Sequence, residues 1–204
     1  QTSDGSVTMS GTTIRWALVT ILFVATLVYN LRIYEQRNEP IIRTLPASKE
    51  LVATITGDPE YTIDTALLTF HSIGRLLKLS PALLTGRYSH LDERRDTTVK
   101  KHTIEYTRAI PETLTSLGAI KNTETVSLEI RRREDVLVAE VLHRGPYDLI
   151  PAAIEAMLQS IDTRGYQATG LYEEVYLVFE KIERDPQKFE TLLRVNIEPK
   201  KVTN

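Results

Sequence analysis

Apolar runs of strand length alternate along this chain with longer stretches whose apolar residues recur every three to four positions. Lys49–Thr56 reads as a strand, and Gly57-Asp58-Pro59 as a turn. Thr62–Lys78 reads as a helix that gathers Ile63, Ala66, Leu67, Phe70, Ile73, Gly74 and Leu77 on one face. Leu84–His90 and Lys101–Ile110 are further strands, joined by the polar stretch Leu91–Thr98. After the linker Pro111–Thr125 come strands at Val126–Arg131 and Val136–His143, then the turn Arg144-Gly145-Pro146. A second helix is predicted over Leu149–Arg164, with Leu149, Ile150, Ala153, Ile154, Met157, Leu158 and Ile161 as its buried stripe. Strands at Ala168–Phe179 and Glu190–Ile197 follow, with Arg184-Asp185-Pro186 capping the loop between them.

The same phrase occurs twice. LVATITGDPEY at Leu51–Tyr61 matches LVAEVLHRGPY at Leu137–Tyr147, TGRY at Thr85–Tyr88 matches TGLY at Thr169–Tyr172, and each unit closes with a strand ending in Pro, at Pro111 and Pro199. Two copies are too few for a solenoid. They predict an α+β fold: duplicated strand-helix-strand-strand modules, 42–111 and 126–199, in one antiparallel sheet with two long helices and a cleft on the pseudo-twofold.

Ahead of this domain, Trp16–Leu31 is apolar all round, and Arg15 and Arg32 bracket it. Sixteen residues of helix span roughly 24 Å against a hydrocarbon core of about 30 Å. Snorkelling arginines make up the difference. The sequence therefore predicts a single-pass helix with a juxtamembrane extension over 14–36. Leu22 and Phe23 lie in its apolar centre, and Trp16 and Tyr29 at the interfaces. Arg32, Arg37 and Arg43 outnumber Arg15, which places the domain on the cytosolic or matrix side. The mitochondrial inner membrane is the favoured location, with the endoplasmic reticulum also open. Residues 1–13 and 200–204 read as polar tails; the start at Gln1 fits processing or trimming.

Composition narrows the chemistry. The net charge of -2 offers no field for nucleic acid, which is not expected as a partner. The absence of Cys excludes disulfides, thiol nucleophiles and Cys-ligated metals. His71, His90, His102 and His143 lack metal-ligand spacing and read as structural, and no dinucleotide, phosphate-loop or Ser-His-Asp signature occurs. No cofactor or metal is expected.

His143, Gly145, Pro146 and Tyr147, then Gly170, then Glu174 and Tyr176, form a pattern that resembles the gyrase-inhibitor-like family, also called the effector-binding domain of multidrug-responsive bacterial regulators. The resemblance covers Ile42–Pro199. It departs in placing Asp185-Pro186 late, in one extra residue at Gly57-Asp58-Pro59-Glu60-Tyr61, and in having no helix-turn-helix ahead of the domain, so a transcription-factor role is not implied. An N-terminal membrane helix before this domain also resembles the ER-phagy receptors of the fold, without their long C-terminal tail.

The resemblance implies that Glu174 lies in an aromatic, cation-binding cleft. By period two, Tyr172, Glu174 and Tyr176 share one strand face. Tyr147 and Tyr88 are expected to join them. A carboxylate among rings needs a cation, a donor or a proton, and the rings add cation–π attraction. The competing reading pairs Glu174 with a nearby Arg or Lys and leaves the tyrosines as packing. Some relatives use such residues to hydrolyse strained electrophiles, which makes a hydrolase the third reading. The leading expectation is a non-catalytic accessory or scaffold subunit of a membrane complex, its partners the bilayer and other subunits. The alternative is a membrane-tethered sensor or receptor for a cationic or amphipathic small molecule.

Overall fold

Both copies of the repeat fold into a strand, a helix and two strands. The computed structural model describes residues 39–57, 59–80, 82–88 and 102–201. The expected membrane helix over 14–36, with Trp16, Leu22, Phe23 and Tyr29, lies outside the described residues. Among those described, no helix is long and apolar enough to cross a membrane.

The strands are β1 (Ile41–Leu45), β2 (Ser48–Gly57), β3 (Leu84–Tyr88), β4 (His102–Ala109), β5 (Val126–Arg133), β6 (Val136–Arg144), β7 (Tyr166–Val178) and β8 (Glu190–Pro199). The helices are α1 (Pro59–Leu76) and α2 (Ile150–Thr163), and a 3-10 turn, Tyr147–Leu149, leads into α2. All eight strands make one antiparallel sheet in the order β1-β6-β8-β7-β3-β4-β2-β5. The α+β class and the duplicated modules are as expected from the sequence.

The sheet order is symmetric about the β7–β3 junction. Each module contributes three inner strands, and each edge strand crosses to the other half: β1 pairs with β6 and β5 with β2. The register fixes which residues correspond. Ala53 faces Tyr106, which faces Gly86; Ala139 faces Val195, which faces Tyr172. Gly86 therefore corresponds to Tyr172 rather than to Gly170, its match in the aligned phrases. Gly170 sits in a bulge of β7 at φ 96°, where the β7–β8 register slips between Ala168 and Tyr172. A bulge inserts residues on one strand only, so phrase matching goes out of step with the pairing there.

Helix α1 packs on β2 and β4, and α2 on β6 and β7. The core between them takes Ile63, Ala66, Phe70 and Ile73 from α1, and Ile150, Ile154, Met157 and Ile161 from α2. Burying each of the larger side chains contributes about 1.5–3 kcal/mol. Leu149 departs from its predicted stripe and is half exposed. The 3-10 turn advances 120° per residue instead of 100°, which rotates Leu149 off the α2 face.

The face of the sheet opposite this core carries a charged ladder. Glu140, Arg194, Glu173, Arg87 and Glu105 stand side by side on five neighbouring strands. Arg87 donates to Glu173 Oε1 from Nε (2.9 Å) and Nη2 (2.7 Å), and to Glu50 Oε2 (3.1 Å). Burial works against the charge on Arg87, but Glu173 and Glu50 outweigh it and hold its pKa above the ordinary arginine value. Burial likewise opposes ionised Glu140, and Arg43 and Arg194 more than offset it, so its pKa lies below the usual carboxylate value.

Candidate functional site

Glu174 projects from the middle of β7 onto the core face, opposite Gly86 of β3. It is fully buried. Its Oε1 accepts from Tyr172 Oη at 3.2 Å and its Oε2 from Tyr176 Oη at 2.9 Å. The period-two reading of Tyr172, Glu174 and Tyr176 thus places all three together. The arginines of the neighbouring strands point the other way: Arg87 and Arg194 engage Glu173, Glu50 and Glu140 on the ladder face.

Tyr88 joins from the other half of the molecule. It pairs with Tyr172 across the β3–β7 junction, with ring centroids 5.6 Å apart, and its hydroxyl lies 3.4 Å from that of Tyr176. Gly86 makes this possible, because a Cβ there would stand 3.1 Å from Tyr176 Oη and 3.5 Å from the Tyr106 ring. Tyr106 Oη in turn lies 2.9 Å from Thr62 Oγ1 in the first turns of α1.

Tyr147 packs against this cluster from the turn that leads into α2. Its ring stacks edge-on against Tyr176 at 6.3 Å and lies tilted over Phe189 at 5.2 Å, while its hydroxyl donates to Glu180 Oε2 at 2.8 Å. The His-x-Gly-Pro-Tyr phrase is the device that puts it there. Gly145 adopts φ 122°, a region that side chains strongly disfavour. The Gly145 N–H donates to Phe189 O (3.0 Å), and the His143 ring lies 3.1 Å from Pro146 O. His143 is therefore part of the turn, as its position in the motif suggested. Tyr61, the corresponding tyrosine of the first unit, is two-thirds exposed.

All five tyrosine and glutamate positions singled out by the sequence gather at this site. Thr191 was missed. It pairs with Tyr176 in the β7–β8 ladder, and its buried hydroxyl has no hydrogen-bond partner among the described residues. Phe189 was also missed; it precedes β8 and packs its ring against Tyr147. Neither has a local signal, because both reach the cleft through pairing of β8 with β7. Among the described residues, no group of three or more His, Asp or Glu could hold a metal.

No protein-family model matches the sequence, and no curated protein matches it. Solved structures do match in fold. A hydrolase from Listeria innocua aligns at 18% identity over 79% of this chain and 93% of that one, with a TM-score of 0.63. The C-terminal domain of EcmrR aligns at 18% identity over 79% of this chain and 98% of that one, with a TM-score of 0.53. EcmrR in complex with DNA aligns at 16% identity over 90% of this chain and 69% of that one, with a TM-score of 0.54. At these identities the likeness is one of fold. The described domain shares its fold with the EcmrR C-terminal domain and with the Listeria hydrolase.

Proposed function

We propose that this domain senses or receives a small organic cation, with Glu174 as its anionic floor and Tyr88, Tyr147, Tyr172 and Tyr176 as its walls. The observation that carries this reading is a fully buried carboxylate held by two tyrosine hydroxyls at the pseudo-twofold of the sheet. A cation entering there replaces hydration with the carboxylate's charge and with ring faces, each worth about 0.5–2 kcal/mol when desolvated. Tyr88, Tyr172 and Tyr176 are themselves buried, so binding requires ring rotation or a shift of the α1 N-terminal turn that Thr62 ties to Tyr106.

Calorimetry of the full chain with benzyltriethylammonium tests the proposal. Saturable binding that Glu174→Gln weakens about tenfold or more supports it. Absence of binding, or equal binding by the variant, contradicts it.

The closure of the cleft favours a second reading, an accessory subunit whose tyrosine cluster is structural. On this reading the 14–36 segment anchors the domain beside its partners in an organellar membrane. Native electrophoresis of gently solubilised source membranes tests it. Co-migration with a large complex is expected, and migration as a free small protein excludes it.

A further inference from the structure

One buried charge in the first half of the molecule, Arg108, stands apart from the ladder and is opposite in sign to Glu174. Arg108 on β4 is more than nine-tenths buried beneath the C-terminal turn of α1. Its Nη1 donates to Phe70 O (3.3 Å) and its Nη2 to Ser80 O (2.5 Å). A guanidinium carries five N–H groups. These two carbonyls leave most of them unused, and the buried Nε has no partner. Among the described residues no carboxylate pairs with Arg108, in contrast to the three around Arg87.

Arg108 lines a cavity of about 410 Å³ between the end of α1 and the start of β3. Leu67, Phe70, Leu79 and Leu84 give it an apolar body, Arg75 and Lys78 stand at it, and no described lining residue is acidic. The volume falls in the range of small-molecule sites. Gly74 keeps the wall open, since a Cβ there would meet Arg108 Nη1 at 3.1 Å.

We infer that this cavity binds a small amphipathic carboxylate, its head group on the Arg108 guanidinium and its aliphatic or aromatic body against Leu67, Phe70 and Leu84. A buried cation with no carboxylate beside it among the described residues is costly, and an incoming carboxylate supplies that charge and accepts the unused N–H groups. Burial also holds the Arg108 pKa below the ordinary arginine value, as expected for a guanidinium whose neighbours are carbonyls. The alternative, that Arg108 serves only to cap α1, accounts for the two carbonyl bonds but leaves the apolar cavity and the basic residues at it without a role. The site is independent of Glu174, which lies on the other half and prefers the opposite charge.

The test is calorimetry of the full chain with 4-phenylbutyrate, and with 4-phenylbutan-1-ol and 4-phenylbutylamine as its neutral and cationic counterparts. The acid is expected to bind at one site, about tenfold or more tighter than either counterpart. Arg108→Met is expected to weaken the acid about tenfold or more, and Glu174→Gln to leave it unchanged. Should Arg108→Met fail to fold, the double variant Arg75→Gln, Lys78→Gln decides, because both residues are exposed; it is expected to weaken the acid about threefold. No binding of the acid, equal binding of acid and alcohol, or an acid affinity untouched by the double variant would overturn the inference.

Discussion

Aligned by sheet register, the two halves of this domain place unlike chemistry at like positions. Gly86 corresponds to Tyr172, Arg87 to Glu173, and Tyr88 to Glu174. Arg87 and Glu173 face each other across the pseudo-twofold itself. An unaltered duplication would set two like charges opposite one another there, which is destabilising. Divergence to opposite signs turns that junction into an ion pair. On the other face of the same two strands, divergence does something different: the first half withdraws to glycine while the second supplies the carboxylate and most of the rings. Symmetry builds the frame, and the loss of symmetry at three successive positions builds both the lock and the cleft.

The largest expected effect comes from breaking the lock. Arg87→Met leaves buried Glu173 with only its longer contact to Arg194 and buried Glu50 with only Arg133, and should cost about 3–5 kcal/mol in urea unfolding. Arg108→Met removes an equally buried cation, but one whose partners are carbonyls, and should cost only about 1–3 kcal/mol. If the order of these two losses were reversed, the contrast between the carboxylate-paired and carbonyl-paired arginines would be wrong.

Glycine substitutions probe the cleft from each half. Gly145→Ala forces a side chain into φ 122° and should cost about 1–3 kcal/mol, releasing Tyr147 from the cleft. Gly86→Ala leaves the backbone unstrained but drives a methyl against Tyr176, at a similar or smaller cost of about 1–2 kcal/mol. The sharper readout for Gly86→Ala is the affinity for an organic cation. It should change, because Tyr176 must move away from Glu174, and an unchanged affinity would remove Tyr176 from the site.

The smallest effect is one of pH. Glu140 has a folded-state pKa below its unfolded value, so its contribution is fully present above the ordinary carboxylate range and is lost as pH falls through the lowered value. Glu140→Gln should therefore reduce stability at neutral pH by about 1 kcal/mol or more, and the difference from the parent should shrink towards pH 3. A difference that stays constant with pH would mean that Arg43 and Arg194 do not hold the carboxylate ionised.

Much of this arrangement was legible before the fold. The duplicated phrases gave the module order, the apolar stripes gave the inner faces of α1 and α2, and alternation along β7 put Tyr172, Glu174 and Tyr176 on one side. What stayed hidden depends on pairing between distant segments. Nothing in Ile41–Leu45 says that it will join β6 of the opposite module, and nothing in Thr191 says that it will flank Tyr176. Glu173 carries no signal of its own in the sequence; its importance appears only when Arg87 is set opposite it. The cavity at Arg108 was equally silent, because it forms where the end of α1 meets β4 and the approach to β3.

One crossed titration tests the central claim most directly: benzyltriethylammonium and 4-phenylbutyrate, each measured by calorimetry against the parent chain, Glu174→Gln and the Arg75→Gln, Lys78→Gln double variant. The account predicts that Glu174→Gln weakens the cation about tenfold or more and keeps the carboxylate, while the double variant keeps the cation and weakens the carboxylate about threefold. Loss of both ligands in either variant, or of neither in Glu174→Gln, would contradict a domain whose two halves have diverged to hold opposite charges.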